Sequence, residues 1–402
     1  MPRMLATILV LSAALGLSCA NASETGIKIG VLNDQTGPLA DVTGMGSVLA
    51  ARMAVEEFGP TVNGKPIEIV FADHQNKPDI GAGIAARWVD TEKVDVIADV
   101  PNGSVALAVH HLMREKNRVY LTAGGFVPDI SGKDCSPVTT QWTADTYALS
   151  VGTARGLVRQ KLDTWFFITA DYAFGNAMTR DASEAVTRSG GKVLGVVKHP
   201  FGNHDFSSLL LQAQSSGAKV IALANAGADT INALKQSREF RIGQADQRMA
   251  AMVLFITDAH ALGLDTAQGI ITTEPFYWDL NEETRAWSKR FMERNGGRAP
   301  TSIQASVYSS ILHYLRAVQA AGTEDAKTVT DKMKATPVND FFSKNVEVRE
   351  DGRVMRDFHV FSVKKPADSK YPWDYYDLLT TIPAADAARP LSESECPLLK
   401  RK

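Results

Sequence analysis

The chain has 402 residues, 45% hydrophobic and 22% charged, a globular balance with length enough for two domains. Its formal net charge of −2 offers no basic surface to nucleic acid or to an anionic membrane, so no nucleic-acid partner is expected.

Taken in order, residues 1–22 stand apart. Arg3 supplies a positive start, Leu5 to Leu17 is apolar, and Ala20-Asn21-Ala22 gives a small-x-small cleavage pattern. This predicts a secretory signal peptide cleaved before Ser23 and an exported mature chain. The apolar run is shorter than the roughly 20 residues that span a bilayer. Lipid attachment at Cys19 is the competing reading, but Gly16 stands where an aliphatic residue is expected. The mature chain is therefore expected to be exported, with no direct membrane insertion. Cleavage leaves Cys135 and Cys396, and an even pair in an oxidising compartment is a disulfide candidate; two isolated thiols are the alternative.

The mature chain begins with an apolar strand at 27–32, a helix through Val48 and Met53, a strand at 67–72 and a Pro-initiated helix at 78–92. A strand at 94–98, a helix from Ser104 and a strand at 118–122 close a first group. Periodicity stops from Gly124 to Trp142, where Gly and Pro mark a long irregular connection. It resumes with a helix at 147–160, strands at 165–169, 192–197, 220–224, 252–256 and 270–273, and helices between most of them. Such alternation reads as parallel sheets with helices on both faces. Helices at 282–295, 302–321 and 325–334 follow, then a short β section with a turn at Asp351-Gly352. The segment from Ser369 is expected on the surface. The fold class is α/β, with two doubly wound, Rossmann-like lobes and a ligand cleft between them. Expected boundaries are 27–143 with 275–345 for one lobe, 144–274 with 346–384 for the other, and a tail at 385–402.

Catalytic constellations are mostly missing. There is no Gly-x-Ser-x-Gly, no P-loop and no paired histidines at metalloprotease spacing, so no catalytic residue, metal or cofactor is assigned. Gly81-Ala82-Gly83-Ile84-Ala85-Ala86 matches a dinucleotide fingerprint by pattern, but it lies inside a helix instead of following the first strand. What recurs is small and polar residues at strand ends: Asn102-Gly103-Ser104, Ala123-Gly124-Gly125-Phe126, Asp171-Tyr172-Ala173-Phe174-Gly175, Asn225-Ala226-Gly227, Thr257-Asp258 and Phe276-Tyr277-Trp278. Singly each reads as a cap or turn, with Asp171 a helix cap. Six divided between two lobes point to an interlobe cleft.

In this order the residues resemble the leucine/isoleucine/valine-binding-protein-like branch of the periplasmic solute-binding proteins of ABC importers, with the type I periplasmic-binding fold. The carriers are Lys28-Ile29-Gly30-Val31, Thr36-Gly37-Pro38-Leu39-Ala40, Asn102-Gly103-Ser104, Asp205-Phe206-Ser207-Ser208 and, most specifically, Asp171-Tyr172-Ala173-Phe174-Gly175. The resemblance spans the mature chain. It implies a monomer that closes on a small ligand, an amino acid or an aromatic or organic acid, and hands it to an ABC transporter permease. It places a ligand carboxylate at Asn102 to Ser104 with the backbone of Ala123 and Gly124, a tyrosine contact at Tyr172, and an acid for an amino group near Asp258. Asn225 and Tyr277 complete the expected ligand-binding set. Phe126 departs from the pattern, standing where amino-acid binders carry a hydroxyl, and so favours an aromatic acid or another ligand that is not an amino acid. Rival readings are a ligand-sensing partner of a membrane receptor and a secreted hydrolase or dehydrogenase.

Overall fold

The computed structural model describes residues 26–242 and 247–399. The expected signal peptide, its cleavage point before Ser23 and Cys19 lie outside the described residues. The elements of the first part are β1 (Ile27–Asn33), α1 (Gly44–Phe58), β2 (Thr61–Val62), β3 (Lys65–Asp73), α2 (Pro78–Asp90), β4 (Val96–Asp99), α3 (Gly103–Glu115), β5 (Val119–Thr122) and β6 (Thr139–Gln141). The second part holds α4 (Thr146–Arg159), β7 (Thr164–Ala170), α5 (Ala173–Arg188), β8 (Lys192–His199), α6 (Ser207–Ser215), β9 (Val220–Ala224), α7 (Ala228–Glu239), β10 (Arg248–Ala251), α8 (Ile256–Leu262) and α9 (Leu264–Ala267). Then come β11 (Ile271–Glu274), α10 (Glu282–Arg294), α11 (Ser302–Ala321), α12 (Ala326–Ala335), β12 (Phe358–Val363), β13 (Tyr376–Ile382) and α13 (Ala384–Ala387).

Two sheets organise the lobes. The first has strand order β2-β3-β1-β4-β5-β6, with β1 parallel to both β3 and β4. The second has order β10-β9-β7-β8, with β7 parallel to both β8 and β9. Strands β4, β5 and β9 are buried at every position because helices cover both faces, as parallel sheets require. Strand β8 alternates exposed and half-buried residues because it is an edge. Helix α11 returns to the first lobe, lying along α1 and against β4 and β5.

Three expectations need correction. The apolar run 252–256 is not a strand. The ladder with β9 uses Arg248 to Ala251, and Ile256 already begins α8. A short buried apolar run does not distinguish strand from helix start by periodicity alone. The irregular stretch 124–142 contains β6, hidden because its Thr-Thr-Gln sequence is polar although buried; Gln141 accepts from the Ser131 hydroxyl at 2.8 Å and donates to the Val127 carbonyl at 3.1 Å. The segment from Ser369 does not merely lie on the surface. It supplies β13, which with β12 and β11 forms an antiparallel sheet flanking α4.

Candidate functional site

In each sheet the strand order reverses at one place, between β1 and β4 in the first lobe and between β7 and β9 in the second. Ligand crevices open outside the carboxyl ends of strands at such switch points. The two switch points face each other. Leu39 and Val42 follow β1, Pro101 follows β4, Tyr172 and Phe174 follow β7, and Ala226 follows β9; with Gly124, Phe126, Phe255 and Ile303 they line a tightly closed pocket of about 20 Å³. Apart from the Tyr172 hydroxyl, every side chain in this lining is apolar.

The lobes touch around this pocket. The Ala228 N–H, first in α7, donates to the Pro38 carbonyl at 3.2 Å. The Ala173 N–H, first in α5, donates to the Ser104 hydroxyl at 3.4 Å. Neither helix has a side-chain cap of its own, so first-lobe oxygens satisfy second-lobe helix starts. The loop that delivers Pro38 is held by Asp34, whose carboxylate accepts from Gly37 N–H at 2.8 Å and Leu39 N–H at 2.7 Å.

The pocket walls rest on a strained backbone. Asp99, Val100 and Phe126 have φ of 80°, 59° and 53°, a region that a β-branched or bulky residue rarely enters. Such outliers persist where the surroundings impose them, often at ligand sites. At Phe126 the turn aims the ring at Phe174 and Phe255, with centroids 6.3 and 6.2 Å away. Tyr172 continues the row to Phe174 at 5.8 Å and Phe201 at 5.0 Å. Desolvation, with Asp229 nearby, holds the Tyr172 hydroxyl above the usual tyrosine range, so it meets a ligand as a neutral donor.

Of the expected ligand residues, Gly124, Phe126 and Tyr172 lie in the pocket lining and Ser104 at its interlobe seam. The others are committed elsewhere. Asn102 caps α3, its side-chain oxygen accepting from Ser104 N–H and Val105 N–H at 3.0 and 3.3 Å, so those groups are not free for a carboxylate. The Ala123 N–H donates to the Asp99 carbonyl at 3.1 Å. Asn225 is fully buried, donating to the His199 ring at 3.2 Å and accepting from the Thr230 hydroxyl at 2.8 Å. Asp258 turns back to accept from Phe255 N–H at 3.0 Å, fixing the start of α8. The Tyr277 hydroxyl donates to the Trp373 carbonyl at 3.2 Å, and Phe276 packs on Trp287, Phe341 and Phe342, away from the cleft. Asp171 is not the cap of α5: Tyr172 holds that position, and the Asp171 carboxylate binds Lys198 at 2.9 Å. Sequence reasoning assigned no ligand role to Leu39, Val42, Phe255 and Ile303, nor to Phe174 and Ala226 within the stretches it singled out. The Thr36 to Ala40 loop carried a signal for the first of these; Phe255 was obscured by the misread strand.

Three acids are buried near the cleft base and at the start of the 275–345 return. Burial pushes Asp99 and Asp258 up to about 7 and Glu274 up to about 8. Each holds its proton in the folded chain where the unfolded chain has lost it. Their contribution is full at low pH and disappears as pH rises through the folded values. The buried His74 and His110, lowered to about 4 by desolvation, act oppositely, but only below their ordinary value of 6.5. Unfolding free energy from urea titrations is therefore expected to fall by on the order of 2 kcal/mol between about pH 6.5 and 8. Glu274→Gln should remove the largest share of that slope; an unchanged slope in this variant contradicts the assignment.

The sequence model of the periplasmic binding protein family matches residues 26–370. A periplasmic binding protein from Burkholderia mallei is 44% identical and superposes with a TM-score of 0.90, covering 93% of this chain and 99% of that one. A structure from Burkholderia xenovorans, described as a branched chain amino acid ABC transporter periplasmic ligand-binding protein, is 36% identical with a TM-score of 0.83, covering 92% and 99%. A Leu/Ile/Val-binding protein homolog from Brucella melitensis is 25% identical over 293 residues, 70% of this chain and 71% of that protein. Two doubly wound lobes closed on an apolar pocket at their facing switch points, and a family match across both, make this chain a member of the periplasmic binding protein family, with the type I fold.

Proposed function

We propose that this protein captures a small carboxylate with an aromatic or similarly flat apolar body, and delivers it to the permease of an ABC importer without chemical change. The observation that carries the ligand class is the pocket lining: Phe126, Phe174, Phe255 and Tyr172 form the wall, and no carboxylate stands in it. The acid expected to meet an amino group, Asp258, is spent on its own helix start. A ligand carboxylate has partners in the Ser104 and Tyr172 hydroxyls, the former held at the positive end of a 16-residue helix by the Ala173 N–H. Binding across both lobes favours the closed state by population shift. A branched-chain amino acid is the second reading, favoured by the description of the Burkholderia xenovorans relative.

Export with cleavage before Ser23, a monomeric state and the absence of catalysis belong to the same proposal. So do the lobe assignments. The packing of α11 on α1 supports giving 275–345 to the first lobe. The third crossing is better placed near 355–357 than at 345/346. Gln141 bridges Arg353, and Arg356 donates to the Trp142 carbonyl, so that segment travels with the first lobe.

Calorimetry with benzoate, phenylacetate and leucine tests the reading. Benzoate or phenylacetate is expected to bind and leucine not to. Tyr172→Ala should weaken that binding about tenfold, the loss of one ring contact and one hydrogen bond, without unfolding the chain. Tight leucine binding with both aromatic acids silent would replace this reading with the second.

A further inference from the structure

A cavity of about 360 Å³, larger than the cleft pocket, opens on the flank of the molecule. Its walls are residues 128–133 and 349–351 on the first-lobe side, and Arg180 and Glu184 of α5 on the second. It does not read as a second ligand site, because its charges already face one another: Lys133 with Asp129 at 3.0 Å, Arg349 with Asp351 at 2.6 Å, and Arg353 with Asp145 at 2.7 Å. What matters is the segment that closes it, Arg389 to Cys396.

One end of this segment, Arg389, is held by its side chain to the second lobe, while its backbone carbonyl accepts from Arg349 on the first-lobe side at 3.0 Å. Helix α13 packs on α4, and the Arg389 guanidinium lies 4.5 Å from the Tyr147 ring of α4 and 3.3 Å from Asp181 of α5. The other end is covalent. Cys396, fully buried, is disulfide-bonded to Cys135, 261 residues away in the sequence. Cys135 is itself held to the first lobe: the neighbouring Asp134 carbonyl bonds the His110 ring at 2.8 Å and accepts from Arg114 at 3.3 Å, both on α3. The residues between the anchors can extend to about 25 Å at most.

We propose that residues 389–396 are a strap limiting how far the cleft opens, with the Cys135–Cys396 bond setting its length. Helix α5 connects the cleft to the strap. Its first turn meets Ser104 at the cleft, and its later turns, with Arg180, Asp181 and Glu184, meet the strap and flank cavity. A rotation that draws α5 away from Ser104 also draws Arg389 from Cys135. Widely open conformers then require a longer strap than the chain supplies. Removing them from the ligand-free ensemble raises the fraction that is closed or nearly closed, and apparent affinity rises with that fraction. The strap rests on the proposed closure of the lobes around a ligand, but not on the ligand's identity.

The test measures interlobe distances by double electron–electron resonance between labels at Met45→Cys in the first lobe and Leu211→Cys in the second, both exposed positions. The expected result is that Cys135→Ser/Cys396→Ser lengthens and broadens the ligand-free distance distribution, while the distribution at saturating benzoate is unchanged. Benzoate release should quicken several-fold. Arg389→Ala, with the disulfide intact, should give a smaller change of the same sign, and it keeps the test available if the cysteine variant folds poorly. Coincident ligand-free distributions in all three proteins would overturn the strap, even with a lowered melting temperature, because the tail would then only add stability. The ligand-free comparison needs no ligand. If no protein responds to benzoate, that counts against the proposed ligand, and the ligand-free distances alone decide whether the strap restrains opening.

Discussion

Gly227→Ala is expected to weaken ligand capture about 100-fold, close to 3 kcal/mol, while lowering stability by only about 1–2 kcal/mol. The position has φ 59° and ψ −132°, which glycine alone enters freely, so any side chain carries a strain in every state. The larger effect is specific to closure. A Cβ at 227 would lie 2.6 Å from the Pro38 carbonyl oxygen and 3.1 Å from the Leu39 side chain. Pro38 is the oxygen that Ala228 N–H uses across the cleft, and Leu39 is a pocket wall. In the open state that methyl has room; in the closed state it holds the lobes apart. Calorimetry for affinity and urea unfolding for stability separate the two effects. A variant that loses stability but binds as tightly as the parent would show that this contact is not part of closure.

Gly175→Ala is expected to lower unfolding free energy by about 3 kcal/mol and to abolish ligand binding, the upper end of what overpacking costs. Its Cβ would overlap the Ala170 carbonyl oxygen and come within 3.0 Å of the Ala224 carbonyl oxygen. Those carbonyls end β7 and β9, the two strands of the second switch point, and neither can yield without breaking its ladder. The helix must move instead, carrying Tyr172 and Phe174 with it. Urea unfolding and near-ultraviolet circular dichroism report the two losses. Parent-like stability would mean that α5 can shift off the strand ends at little cost.

Gly175 also shows how much of the site could be read before folding. The Asp171 to Gly175 stretch was recognisable as a strand-to-helix turn with a ring and a hydroxyl on offer. That the glycine permits the helix to sit on two carbonyls follows only when β7 and β9 lie side by side. Tyr172 was legible for the same reason that Asp171 was misread. Both sit at the helix start, and only the position of Lys198 on β8 decides that the carboxylate turns outward to an ion pair.

The alternation of apolar strands and amphipathic helices, interrupted once, is a local property, and by itself it determined two parallel α/β lobes. The even pair Cys135 and Cys396 was legible as a disulfide candidate, and the fold decides between that and two isolated thiols by bringing the cysteines together. What only the tertiary structure decided was which polar groups remain free. Asn225 and Tyr277 follow strand ends, as Ser104 does, and Asp258 lies in the first turn of α8, yet His199, Trp373 and Phe255 claim them. A buried polar group must find a partner, and whether that partner is protein or ligand depends on neighbours distant in the sequence. The apolar wall of Phe126, Phe174 and Phe255 is non-local for the same reason, because three turns from two lobes meet only when the switch points close on each other.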